Sequence, residues 1–245
     1  MADVLDDLAA EYRQLDAVLA ALAPAQWSAP SGAAGWTVAD VVLHLAQSEE
    51  AVGTPAVTDT GAMLPSTGTT TVDGAMADLV AAERGAAPAD VLARWRKAAF
   101  ATPDVLRSQP PGTRLAWVRT SLSPRTLATT RLAEHWAHAQ DITVPLGIDY
   151  PDTARIRHIA WLAHRTLPYA FSVAGRPAAP VFCDLTAPDG TRWTFGDPAA
   201  PNRITGPAAD FCRVGARRLT PEQTALRAEG PEAADALRLV RNYAA

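Results

Sequence analysis

Apolar residues recur at steps of three and four from the start of the chain. Leu5, Leu8, Tyr12, Leu15, Leu19 and Leu22 fall on one stripe and predict an amphipathic helix over residues 3–22. Pro24 and Pro30 bound the linker that follows. A second helix is predicted from Thr37, whose hydroxyl can cap the first free amides. Asp40, three residues on, gives a capping-box-like pattern. This helix runs through VADVVLHLAQSEEAV and ends near Gly53. Residues 53–72 are rich in Gly, Thr and Pro and lack periodicity, so they read as a long loop. A weak helical stretch follows at about 73–84, then a stronger one at about 88–100 that opens on Pro88. Residues 108–121 read as a loop carrying Trp117 and Arg119. Ser123 and Pro124 then open a long helix that ends at or before Gly147, where a left-handed cap fits.

Counted without the weak 73–84 stretch, these are four helices, enough for an antiparallel four-helix bundle over residues 1–150. Past Tyr150 the pattern changes. A helix is predicted at about 152–172. Two alternating runs, VFCDLTA and TRWTF, flank the turn Pro188-Asp189-Gly190, and RITG can add a strand. Helical spacing returns at 207–218 and 231–243. The expected class is mainly α, a helical bundle followed by a smaller α+β domain over 151–245.

Composition narrows the partners. Hydrophobic residues are 48% and charged residues 20% of the 245, the balance of an ordinary globular protein. The net charge of −4 is spread in mixed signs without a basic stripe, which argues against nucleic acid and anionic membrane as partners. No apolar run reaches membrane-spanning length, and the acidic, amphipathic start lacks the pattern of a signal peptide. The two cysteines, Cys183 and Cys212, show no metal or redox spacing and read as small buried residues, not a disulfide. These features lead to the expectation of a cytoplasmic protein, monomer or homodimer, acting on a small molecule.

The fourth helix carries the candidate chemistry. Arg131, Glu134, His138 and Asp141 recur at steps of three, four and three, which places them on one face. Glu134 and His138 lie one turn apart, and a carboxylate and an imidazole so placed can share an ion, zinc binding at about 2.0–2.2 Å. The same spacing is common on solvated faces. Here Leu132, Trp136 and Ala139 supply apolar surroundings, in which polar groups must be satisfied or coordinate something. His44 lies at the edge of the stripe Val38, Val41, Val42 and Leu45. Its surroundings leave two readings open, a hydrogen-bonded core histidine or a ligand. Asp40 precedes His44 by one turn and Asp141 follows His138 by three residues, so each is placed to receive a ring N–H. Asp141 also reads as a plain helix-end charge. His135 points about 100° away from Glu134 and reads as solvated or inter-domain. His158 and His164, six apart, do not share a helix face and read as structural.

The runs GWTVADVVLHLAQSE (35–49) and RLAEHWAHAQDI (131–142) resemble the signatures of the DinB-like and mycothiol-dependent maleylpyruvate isomerase superfamily. The tail segments APDGTRWTFG, ITGPAADFCRVGARR and EGPEAADAL resemble the C-terminal domain of actinobacterial members described only as metal-binding proteins. The resemblance implies a ligand set of one histidine in the first run plus a Glu and a His four apart on a later helix. Those positions match His44, Glu134 and His138. Two histidines and a carboxylate leave open positions on the ion, the pattern of a catalytic site. The vacancy can take a hydroxide, a polarised carbonyl or a thiolate. The resemblance implies the thiolate, with mycothiol as the thiol cofactor, because a metal lowers a thiol's pKa. The thiolate would add to an electrophilic carbon, and later elimination gives isomerisation while retention gives a conjugate.

Three functions are therefore carried forward. The first is a metal-dependent, thiol-using isomerase or S-transferase. The others are a thiol-independent metal-dependent hydrolase, lyase or cyclase, and a metal-binding protein without turnover. Zinc suits the ligand set, and nickel, iron and cobalt occupy the same set. Arg131 can bind a substrate carboxylate in bidentate fashion, or it forms an ion pair with Glu134 or another carboxylate. Trp117 and Arg119 are candidates for the pocket mouth.

Overall fold

The structure is a computed structural model that describes residues 3–52, 71–118 and 120–242. The predicted loop at 53–72 lies outside the described residues except for its last two positions, and Arg119 lies outside them altogether.

Helix α1 (Val4–Ala21) is capped by Asp3, whose carboxylate accepts the Leu5 N–H at 2.9 Å. A single turn, α2 (Pro24–Trp27), interrupts the linker. Helix α3 (Val38–Glu50) opens on a reciprocal capping box. Thr37 Oγ1 accepts the Asp40 N–H at 3.2 Å, and Asp40 Oδ2 accepts the Thr37 N–H at 2.9 Å. The weak stretch is a formed helix, α4 (Val72–Glu83). It packs on α3, where Gln47 Nε2 donates to the Leu79 carbonyl at 3.0 Å.

Helix α5 (Pro88–Arg107) continues past the predicted end near Phe100. Pro103 removes one amide donor but does not end it, because the buried stripe of Trp95, Ala99 and Leu106 runs on across the proline. The predicted loop at 108–121 contains an antiparallel hairpin, β1 (Leu115–Trp117) and β2 (Thr120–Leu122). Helix α6 (Pro124–Leu146) is capped by Ser123 Oγ on the Thr126 N–H at 3.2 Å. It ends at Gly147, whose φ of +64° lets the Ile148 N–H reach the Thr143 carbonyl at 2.9 Å.

Two compact units result, one running to Tyr150 and the other starting at Pro151. In the first, α1, α3, α5 and α6 form the four-helix bundle, α1 packing on α5 and α6, and α3 on the same pair. Leu8, Tyr12 and Leu15 of α1, Leu45 of α3, and Leu132 and Trp136 of α6 fill its core.

The second unit is α+β. The predicted helix at 152–172 is two, α7 (Ile156–Arg165) and α8 (Leu167–Val173). They divide at Thr166, whose hydroxyl bonds back to the Leu162 carbonyl at 2.9 Å just ahead of Pro168. Strands β3 (Val181–Thr186), β4 (Arg192–Phe195) and β5 (Asn202–Pro207) are followed by α9 (Ala208–Gly215). A short edge strand, β6 (Arg227–Glu229), and α10 (Ala233–Leu239) complete the unit. The sheet order is β4-β3-β5-β6, with β3 and β5 parallel and the outer pairs antiparallel. No helix among the described residues is long and apolar enough to cross a membrane.

Candidate metal centre

Helices α3 and α6 bring His44, Glu134 and His138 together. Glu134 Oε1 lies 2.9 Å from His44 Nε2 and 3.4 Å from His138 Nε2. One donor atom from each residue can be chosen so that all three lie within 4.8 Å of one another. Zinc bonds of about 2.0–2.2 Å put tetrahedral donors about 3.4 Å apart, so the trio matches the chemistry and the spacing of one ion. The two imidazoles meet edge to face, with centroids 5.0 Å apart and planes at 67°.

The electrostatics keep Glu134 ionised and His44 neutral, while the carboxylates draw His138 toward its protonated form. Burial raises the Glu134 carboxyl's pKa, but hydrogen bonds from His138 and His44 outweigh it and hold the group well below the usual carboxylate range. Burial pushes His44 down, which favours neutral imidazole. Burial also lowers His138, but the carboxylates of Asp141 and Glu134 more than offset it, and the net shift is upward. The cluster is not sealed. The side chain of Glu134 keeps 28% of its surface exposed, against 7% for His44 and 13% for His138.

Of the two carboxylates placed to orient a ligand, one does so. His138 Nδ1 lies 2.9 Å from Asp141 Oδ2 and donates there, so that loss of the Nε2 proton would leave Nε2 as the atom free to bind an ion. Asp40 does not meet His44. Its carboxylate serves the α3 cap and the Arg84 guanidinium, at 3.1 Å. His44 Nδ1 is buried and has no hydrogen-bond partner among the described residues.

Arg131 is 2% exposed. It donates from Nε to Glu49 Oε1 at 2.7 Å and from Nη2 to Ser48 Oγ at 2.6 Å. The geometry is that of the ion pair, with Glu49 as partner instead of Glu134. Trp117 lies over the guanidinium at 4.9 Å, so the hairpin packs on α6 one turn before Glu134. His135 corrects the expectation of a solvated or inter-domain side chain, since it is fully buried. Trp95 Nε1–H donates to its Nε2 at 3.0 Å, which leaves Nδ1 to donate to the Arg131 carbonyl at 3.0 Å. Burial pushes its pKa down to about 4, and neutral His135 acts as a core hydrogen-bond relay. His158 is buried in the second unit, and His164 Nε2 lies 2.9 Å from the Val181 carbonyl.

Sequence reasoning passed over Glu49, Ser48 and Trp36. Glu49 had a signal, since it stands four residues after Leu45 on the buried stripe of α3. Trp36, 5.2 Å from the His44 ring, sits in a loop without periodicity, and its one signal is its place in the run 35–49 that carries the resemblance.

A helical bundle with an inward cluster of two imidazoles and a carboxylate on facing helices defines a class, bundles whose sites are built in the core between helices. The chain belongs to the mycothiol maleylpyruvate isomerase N-terminal domain family, whose model matches residues 8–143. That span contains both runs that carry the resemblance. Two uncharacterized proteins from strains of Mycobacterium tuberculosis, MT0041 and Rv0036c, are each 35% identical over 242 residues, covering 97% of this chain and 94% of theirs. Among solved structures, the mycothiol-dependent maleylpyruvate isomerase aligns with a TM-score of 0.61 at 15% identity, over 93% of this chain and 95% of that one. A mutant of that isomerase aligns at 0.59 and 14% over the same shares. The likeness fixes the DinB-like fold.

Proposed function

We propose that this protein is a metal-dependent enzyme that uses mycothiol to isomerise, or to form a conjugate with, a small electrophilic substrate. The observation that carries the reading is the open three-donor cluster, with Glu134 and, to a lesser degree, His138 partly exposed while His44 is buried. His44 Nε2, Glu134 Oε1 and His138 Nε2 would hold one divalent ion, zinc being the ion such a set suits. Bound there, an ion with free positions lowers a thiol's pKa, so that the thiolate is available at neutral pH.

The chain's own groups prepare that site. Asp141 fixes the His138 tautomer, and Glu134 stays ionised through its two imidazole neighbours. The Glu49–Arg131 pair anchors α3 to α6 beside the ligands. Neither protein thiol is exposed to serve as the nucleophile. Cys183 and Cys212 are both buried in the second unit, and burial pushes Cys183 up to about 12. The sulfur therefore comes from outside. Its addition to an electrophilic carbon followed by elimination returns the thiol and the isomerised substrate, and retention gives a thioether.

The test is turnover of maleylpyruvate or a related electrophile by the metal-loaded protein, with and without mycothiol. Turnover that needs both metal and mycothiol is expected. Turnover that survives thiol removal but not chelation would overturn the thiol step and favour a hydrolase, lyase or cyclase.

A further inference from the structure

We infer that the loop from Pro30 to Thr37 is a clamp that positions both histidines of the cluster, with Trp36 setting the His44 ring and Gly32 setting the Asp141–His138 pair. The inference rests on the metal reading above.

Its first support is the rigidity of the loop. An antiparallel bridge joins Pro30 to Thr37, and the Val38 N–H reaches the Ala29 carbonyl at 3.0 Å. Within that closure the Trp36 carbonyl accepts from the Ser31 N–H at 2.9 Å and from Ser31 Oγ at 2.8 Å. The Trp36 N–H donates to the Ala33 carbonyl at 3.1 Å. The backbone that carries the indole is thus fixed on both sides.

The second support is where the loop is fastened. The Gly32 N–H donates to the Asp141 carbonyl at 2.8 Å. A Cβ at Gly32 would stand 3.1 Å from both Asp141 Cα and Asp141 Oδ1. A side chain there is tight against Asp141, which must give by a few tenths of an ångström, and the carboxylate pressed on is the one that holds His138 Nδ1.

The third support is the indole itself. It lies 5.2 Å from the His44 ring and 6.4 Å from the His138 ring, nearly parallel to the latter at 19°. His138 has a carboxylate to orient it. His44 has none, because its Nδ1 is without a hydrogen-bond partner among the described residues. Beyond the Nε2 contact with Glu134, the His44 ring is set by packing, and Trp36 supplies a neighbouring wall tilted 50° to it. Such a residue acts through the ligands, so it is a positioning residue and not a catalytic one.

The experiment is titration of the metal-free full-length protein with Co(II), followed by its visible absorption, and with Zn(II) in competition with a chelator. Wild type, Trp36→Ala, Trp36→Phe and Gly32→Ala are compared, and the metal-free melting transition of each confirms that it is folded. Partners of metal ligands change affinity by about 10- to 100-fold when altered. Trp36→Ala and Gly32→Ala are expected to weaken binding about tenfold or more and to change the Co(II) spectrum. Trp36→Phe keeps a flat ring and is expected to restore both. Trp36→Ala with wild-type affinity and an unchanged spectrum overturns the clamp while leaving the metal reading intact. A wild-type protein that binds neither ion overturns both. If Gly32→Ala fails to fold, the two Trp36 variants decide the matter.

Discussion

Glu49 and Arg131 face each other across α3 and α6 with side chains 0% and 3% exposed. Burial raises the Glu49 carboxyl's pKa, but the charge of Arg131 and the Thr102 hydroxyl, at 2.6 Å, bring it below the ordinary value of 4.5. A carboxyl whose folded pKa is depressed stabilises the protein above its unfolded pKa. That stability is lost as the pH falls through the folded value. Removing one partner of such a buried pair costs about 3–5 kcal/mol. Glu49→Gln is therefore expected to destabilise by about that much at neutral pH, with the gap to wild type closing as the pH falls below 4.5. Urea titrations of both proteins across pH check this, and a constant gap contradicts it. At this scale the sequence is legible where residues share one helix. Glu134, His138 and Asp141 meet as their spacing implies, whereas His44 is ninety residues from Glu134 and only the resemblance pointed to it. His135 misled because a polar residue beside a candidate ligand reads as solvated. The Trp95 indole that satisfies it lies forty residues away on another helix.

Helix starts were the most readable elements, because a cap is a local arrangement. Thr37 with Asp40, and Ser123 with Pro124, open α3 and α6 where the pattern puts them. The αL stop is also local. Gly147→Ala is expected to cost about 1–2 kcal/mol, because a Cβ there opposes a φ of +64°. Chemical denaturation reads the cost, and a neutral effect would show that α6 ends by another route. The hairpin β1–β2 escaped notice for a physical reason. Its turn lacks the Asn-Gly or Gly signal of two-residue hairpins, and Val118 sits at φ +49°, a conformation that β-branched residues rarely adopt. The partner that holds the strand to the bundle lies outside it, since Trp117 of β1 lies on Arg131 of α6. Trp117→Ala is expected to destabilise by about 0.5–2 kcal/mol and to speed amide exchange over 115–122. Unchanged exchange there would contradict the anchoring role. The C-terminal end of α5 and the break between α7 and α8 are not legible in the local pattern, because burial decides whether a helix continues through a proline.

The mainly helical class with an α+β remainder follows from periodicity, which switches from steps of three and four to alternation after Tyr150. Pairing across the sheet does not follow from it, and β3 lies between β4 and β5 with a parallel and an antiparallel neighbour. The whole molecule also carries the thiol question. Both cysteines are buried, and burial raises the pKa of each thiol. Native protein is expected to show no thiol reactive to an aromatic disulfide reagent, and two once unfolded in urea. A fast-reacting thiol in the native protein would reopen the case for a protein-borne nucleophile. The central claim is that α3 and α6 carry one ion between His44, Glu134 and His138. Metal analysis of the purified wild-type and Glu134→Ala proteins, with titration of the metal-free forms, tests it most directly. About one equivalent of a divalent metal in the wild type, and a large loss of content and affinity in Glu134→Ala, are the results this account predicts. Full metal content and undiminished affinity in Glu134→Ala would contradict it.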